Sequence, residues 1–231
     1  MEHVCTDAHC HIGGAKLDCF SAVCAINEPQ WQELADIENP KIKKVFGLFL
    51  GEALNHSDTE LNSSMQLLKS YLPKASAIGE FGLDKRFVSV LPFFRQEKIF
   101  DEHMILVAET KLPFVLHCVG AWGFLLKKVR SAYRKGNTGK FLLHSASCAK
   151  EVANEFAELG GYFSFSMRAL NSRNGIDVAK NMPIERIMLE SDELPSQAGF
   201  LATVETLAQI RNIKAEELSE IVKSNFFNFY N

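Results

Sequence analysis

Eight short runs rich in β-branched and aromatic residues alternate along this chain with segments of helical periodicity, and that alternation limits the folds open to it. The strand-like runs are Val4–Ala8, Phe20–Ile26, Lys44–Leu50, Ala75–Gly79, Phe114–Cys118, Lys140–His144, Gly161–Ser166 and Arg186–Leu189. Helical spacing covers Pro29–Ile37, Asp58–Tyr71, Pro92–Thr110, Ala121–Arg134, Cys148–Leu159, Leu170–Lys180 and Phe200–Arg211, with a closing segment at Ala215–Phe229. Strand followed by helix, repeated in this way, is the pattern of a (β/α)8 TIM-like barrel. A doubly wound open sheet satisfies the same local pattern, since parallel strands joined by helices underlie both.

The positions of a few polar residues favour closure. His11, Glu80, His144 and Asp192 fall at or just past the C-terminal ends of their strand candidates. In a closed barrel those ends converge on one face, whereas an open sheet strings them along an edge at about 4.8 Å per strand. The 231 residues, 47% of them hydrophobic, suffice for one large core, so a single barrel domain over residues 1–231 is expected.

Composition excludes several classes. No stretch reaches the roughly 18 to 20 consecutive apolar residues that span a bilayer, and residues 1–15 carry acids and histidines where a signal peptide needs an apolar centre. A cytoplasmic protein with no membrane association and no obligate protein partner is expected. The six cysteines (Cys5, Cys10, Cys19, Cys24, Cys118, Cys148) form no CxxC pair, are sparse for a disulfide scaffold, and are read as reduced core residues. A net charge of −3 supplies no overall positive field, so contact with nucleic acid would have to be local.

His9 and His11 stand two residues apart in VCTDAHCHI, so on a strand both project from one face, as a pair gripping one cation would. Glu80 follows an apolar run and is flanked by Gly79 and Gly82, which would let backbone approach a ligand closely. A carboxylate there needs a cation or several donors if it is buried. His117 ends KLPFVLH, His144 ends GKFLLH and Asp192 closes RIMLESD, with Glu190 two residues earlier competing with it for the same role. Each histidine alone also reads as a core histidine bonded to backbone; His3, His56 and His103 lack the strand-end setting and are assigned that role. Imidazoles with carboxylates suit a divalent ion among Zn, Mn, Fe, Ni and Mg.

The series TDAHCHI, IGEFGLD, LPFVLHC, FLLHSAS and MLESD resembles the TatD family of metal-dependent hydrolases, within the wider amidohydrolase-like barrels. RQEKIFDEHMILVAETKLPFVLH resembles the family's arginine-glutamine helix leading to its central histidine, and the chain closes on KSNFFNFY. The resemblance implies that His9, His11 and Asp192 bind one metal, that His117 and His144 bind a second, and that Glu80 bridges the two. It implies a phosphodiesterase or deoxyribonuclease in which Glu80 and Asp192 are catalytic, with Asp192 as an acceptor for the proton of the attacking water.

Three departures bear on substrate. Where the family often has a Gly-x-His-Pro loop after its third strand, this chain reads GLFLGEAL from Gly47 to Leu54; His117 is followed by CVGAW without a basic residue; and ELPSQAG after Asp192 is short and lacks a basic segment. Substrate-contact candidates are Arg86, Ser145, Arg168 and Trp122, with Lys85, Ser147 and Trp31 behind them. The basic run Lys127–Lys135 is read as a solvated helix face. DNA or a nucleotide is the expected substrate. The alternative is a small non-nucleic amide, lactone or phosphate ester on the same barrel, and a non-catalytic scaffold is disfavoured by the intact ligand set.

Overall fold

The structure is a computed structural model that describes residues 5–13, 19–192 and 197–231. Val4 of the first strand candidate, His3 and residues 193–196 of the ELPSQAG stretch lie outside the described residues.

In chain order the elements are β1 (Thr6–His11), β2 (Phe20–Ala25), α1 (Glu28–Asp36), β3 (Ile42–Phe46), α2 (Asp58–Tyr71), β4 (Ala77–Asp84), α3 (Phe93–Thr110), β5 (Phe114–Val119), α4 (Trp122–Arg134), β6 (Phe141–Leu143), α5 (Lys150–Glu158), β7 (Gly161–Phe165), α6 (Met167–Leu170), α7 (Arg173–Asn181), β8 (Ile187–Leu189), α8 (Gln197–Arg211) and α9 (Ala215–Tyr230). The strands form one sheet in sequential order, β1 to β8. The ladders β3/β4, β4/β5 and β7/β8 are parallel, and Asp192, just past β8, bridges back to Cys10 of β1. This order with its return is the topology of a (β/α)8 barrel. None of the described helices is long and apolar enough to cross a membrane.

The chain divides into two compact units. The first comprises Met1–Val23, Pro40–Lys43 and Leu142–Asn231; the second comprises Cys24–Asn39 and Lys44–Phe141. In the first, α9 ties the barrel ends together. Its Asn225 amide donates to Ile184 O and Ile187 O, each at 2.8 Å, and the Tyr230 hydroxyl donates to Ala8 O at 2.7 Å. Phe163, Phe165, Phe226 and Phe229 are fully buried around these bonds. In the second unit the core is an aromatic stack in which Phe81 packs on Phe100 and Phe114. Trp31 is buried against β3, where its indole N–H is shared between Gly47 O at 2.8 Å and Ala25 O at 3.2 Å.

Among the boundaries that differ from the sequence expectation, three have a local reason. β4 does not stop at Gly79 but runs on to Asp84. The glycines are not breaks; they are places where strands come too close for a side chain. A Cβ on Gly47 would lie 2.5 Å from the Gly79 carbonyl carbon, and one on Gly82 would lie 1.8 Å from His117 O, the residue paired with it in β5. The close approach is therefore to neighbouring strands rather than to a ligand. β3 ends at Phe46 instead of Leu50; beyond it Gly47 and Phe49 N–H still bond Ala25 O and Ile26 O, but Leu48 N–H turns to the His103 ring at 3.0 Å. The helix expected over Leu170–Lys180 starts later, as α7, because Ser172 caps it through Gly175 N–H, and Leu170 belongs instead to the preceding α6, which Ser166 caps through Ala169 N–H.

The expectation that all six cysteines are reduced is corrected. Cys5 and Cys19 form a disulfide, because Phe20 N–H pairs with Cys5 O and brings their Cα atoms to 4.6 Å. Cys10, Cys24, Cys118 and Cys148 are buried thiols.

Candidate metal centre

Within the first unit, β1, β6 and the end of β8 bring four of the six expected ligands together. His9 is fully buried, and its ring stacks on His144 at 4.3 Å and meets His11 edge-on at 5.0 Å. Asp192 Oδ1 lies 3.8 Å from His9 Nε2 and 3.9 Å from His11 Nε2. His9, His144 and Asp192 each present one donor atom within 4.8 Å of the others. Two donors bonded to one cation at about 2.0–2.2 Å are separated by roughly 3 to 4 Å, so the donor set fits a divalent metal.

The strand alternation places these ligands. Period two turns Asp7, His9 and His11 to one side of β1, while the Cys10 thiol points away and donates to Ala22 O at 3.6 Å. Burial, reinforced by Asp7, Asp192 and Glu190, pushes that thiol well above its usual range, so Cys10 does not supply a thiolate. Asp7 is a residue the sequence reading missed. Its buried carboxylate accepts from Ser191 N–H at 3.0 Å, from the Ser191 hydroxyl at 2.5 Å and from His9 N–H at 3.3 Å. Asp192 N–H donates to His9 O at 3.0 Å. These bonds fasten the start of the β1 ligand pair to the segment carrying Asp192. Burial pushes the Asp7 carboxyl up to about 6, against the hydrogen bonds from Ser191 and His9. Glu190 is fully buried, accepts from the Ser164 hydroxyl and lies 3.7 Å from His144 Nδ1. It therefore lies against the His144 ring.

Ser145 and Asp192 have left-handed backbones, with φ of 47° and 51°. A left-handed turn at a non-glycine residue costs about 1 kcal/mol, and here it falls directly after one candidate ligand and on another. The Ser145 hydroxyl bonds that of Ser166 at 2.8 Å.

Within the second unit, β4 and β5 bring Glu80 and His117 together. His117 Nδ1 faces Glu80 Oε1 at 2.8 Å, and its Nε2 donates to Asp84 Oδ2 at 3.0 Å. A carboxylate on Nε2 fixes the ring and so aims Nδ1 at Glu80. Asp84 is the second missed residue. Gln96 of α3 clasps its backbone, accepting from Asp84 N–H at 2.8 Å and donating to Asp84 O at 2.9 Å. The matching arginine, Arg95, is engaged elsewhere, with Asp58 and His56 O. Burial raises the Asp84 carboxyl, but the hydrogen bonds from His117 and Arg86 outweigh it and hold the group well below the usual carboxylate range.

The substrate-contact candidates fare unevenly. Arg86 spends its guanidinium on both Asp84 oxygens, at 2.6 to 3.0 Å. Arg168 is exposed on α6 and Trp122 is half-buried at the start of α4; neither side chain makes a hydrogen bond or ion pair among the described residues. Trp31 is buried and has no face for a base. In the basic run, Lys128 pairs with Asp101 at 2.9 Å and Glu97 at 3.4 Å, as a solvated face does. His103 is a satisfied core histidine, as expected: Nδ1 donates to Ile99 O at 2.8 Å and Nε2 accepts from Leu48 N–H.

A family model described as TatD related DNase matches residues 14–231. This chain belongs to that family. The matched span starts after His9 and His11, so the β1 pair is read from the sequence motif and the geometry above. Among relatives, the TatD chain is 28% identical over 204 residues to the metal-dependent hydrolase YjjV of Escherichia coli (strain K12), covering 80% of this chain and 75% of that one. It is 26% identical over 248 residues to a TATDN1 homolog of Vairimorpha ceranae (strain BRL01), covering 90% and 93%. The crystal structure of YjjV superimposes with a TM-score of 0.81 at 20% identity, over 98% of this chain and 97% of that one. A TatD family hydrolase from Entamoeba histolytica gives 0.73 at 19% identity, over 91% and 84%. These likenesses fix the fold, and family membership makes the chain a metal-dependent hydrolase.

Proposed function

We propose that this TatD-family hydrolase is a phosphoesterase with a binuclear centre. His9, His11 and Asp192 hold one divalent cation, His117 and His144 hold a second, and Glu80 bridges them. The observation that carries the reading is the pair of distances from Asp192 Oδ1 to His9 and His11, 3.8 and 3.9 Å, which suit donors sharing one cation better than donors bonded to each other. The Asp84–His117 bond supports the second half, because it orients one ring nitrogen and leaves the other toward Glu80.

Two divalent cations, when bound, supply a water of lowered pKa and neutralise charge developing on a phosphoryl oxygen. The protein's own part is positional. Asp7 and Ser191 set β1 against Asp192, Asp84 and Gln96 set His117, and Asp192 accepts the proton of the attacking water. DNA or a nucleotide-containing phosphodiester is the substrate class that the nuclease-named relatives suggest, among them the Deoxyribonuclease Tat-D of Schizosaccharomyces pombe. A small non-nucleic ester is the second reading, favoured by the absence of a histidine from Gly47 to Leu54 after β3 and by the net charge of −3.

Elemental analysis of purified protein, followed by hydrolysis assays after chelation and readdition of Zn, Mn, Fe, Ni or Mg, tests this. About two metals per chain are expected, falling to about one in His144→Ala, with activity restored by metal. Absence of both bound metal and metal-stimulated hydrolysis overturns the reading. Loss of apparent affinity with rising salt separates a DNA substrate from a small one.

A further inference from the structure

The loop after β3 places Phe49 directly beside a proposed metal ligand. Its half-buried ring meets His117 edge-on, 5.2 Å between centroids at 83°, and meets Phe87 in the same manner at 6.0 Å and 81°. The wall these rings make is built rather than incidental. Phe49 N–H donates to Ile26 O at 3.1 Å, Glu52 N–H donates to Phe49 O at 3.0 Å, and Leu48 N–H is taken by His103. Gly51 lies under both rings: a Cβ there would meet Phe49 Cε1 at 3.1 Å and Phe87 Cζ at 3.6 Å. Next to Phe87 in the chain, Arg86 is anchored by its backbone N–H and guanidinium, which both bond Asp84.

The same bonds give Arg86 an acidic partner of its own. Arg86 stands where a backbone-phosphate contact would be useful, yet its charge is matched by Asp84. What the mouth of this unit offers beside His117 is therefore two fixed aromatic rings, with the exposed Lys85 next to them, its stem over Gly120. Aromatic rings held at right angles present an edge and a face, which suits a flat ring better than a second phosphate.

We propose that Phe49 and Phe87 are specificity residues that seat the nucleobase attached to the scissile phosphoester, so that substrate is recognised through one base next to the reacting group rather than through a run of phosphates. This rests on the phosphoesterase reading above, and the experiment separates the two. A thymidine dinucleotide and its abasic analogue are compared by kcat/KM in the metal-loaded protein, and thymidine 5′-monophosphate and deoxyribose 5-phosphate are compared by calorimetric binding to the same protein. The base-bearing member is expected to be favoured about tenfold or more in both comparisons, the preference collapsing in Phe49→Ala and Phe49→Leu and returning in Phe49→Tyr. The change should fall in KM rather than kcat. A base preference that is absent in the native protein, or unaltered in Phe49→Leu, overturns the proposal. If no phosphoester is hydrolysed with any metal, the parent reading fails, while the binding ratio still decides the wall.

Discussion

Protonation of His103 should account for a defined part of the acid sensitivity of this protein. The imidazole is fully buried on α3, stacked nearly flat on Phe81 at 4.5 Å and 9°, with Nδ1 donating to Ile99 O and Nε2 accepting from Leu48 N–H. Burial, opposed in part by the Ile99 carbonyl, lowers its pKa from 6.5 to about 4. Between those values the unfolded chain binds a proton that the native state refuses, so the contribution is complete above pH 6.5 and is lost as pH falls toward 4. At about 1.4 kcal/mol per pH unit, that gap corresponds to about 3 kcal/mol. The whole stability curve will not display it cleanly, because Asp7, raised to about 6, contributes in the opposite sense over an overlapping range. The informative quantity is the difference between the native protein and His103→Gln, whose amide oxygen accepts from Leu48 N–H without titrating. Urea denaturation in chelator should show the native protein losing about 2 kcal/mol relative to His103→Gln between neutral pH and about pH 4.5. A difference constant to within about 0.5 kcal/mol, or an imidazole that titrates above pH 6 by NMR, refutes the reasoning. The same protonation removes the acceptor from Leu48 N–H, so the loop that carries Phe49 loosens in acid.

Asp7→Ala strands two buried N–H groups and the Ser191 hydroxyl, which should cost about 3–5 kcal/mol, whereas Asp7→Asn keeps an acceptor oxygen and should lose about 1–2. Urea midpoints measured in chelator check this apart from any metal effect, and equal losses for the two variants would contradict it. Gly82→Ala sets a Cβ 1.8 Å from a backbone oxygen that cannot turn aside, so little soluble protein or a loss above about 4 kcal/mol is expected. A native-like urea midpoint for that variant would show that the β4–β5 approach is softer than described.

Much of the architecture was written in periodicity. α2 falls on Asp58–Tyr71, the bounds its helical spacing predicts, because Ser57 and Glu60 form a capping box at its start. The six ligand candidates were equally visible, since polar residues ending apolar strands are conspicuous. What stayed hidden was whatever depends on partners distant in sequence. Cys5 and Cys19 read as sparse core thiols until adjacent strands brought them together. Arg86 read as a substrate contact until Asp84 took its charge.

Asp84 itself could have been found, and the reason it was not lies in one boundary. Ending β4 at Gly79 put Asp84 in a loop, where an acid five residues past a strand end means little. With the strand continued through Gly82, period two sets Asp84 on the same side as Glu80, and both carboxylates then address His117, one at each ring nitrogen. The continuation was encoded by the glycines, which read locally as strand breakers. Their other meaning, a neighbour too close to admit a Cβ, needs β3 and β5 in place: the 2.5 and 1.8 Å separations at Gly47 and Gly82 exist only across strands. The candidate ligands are thus legible residue by residue, but the groups that aim them become legible only after the sheet is assembled.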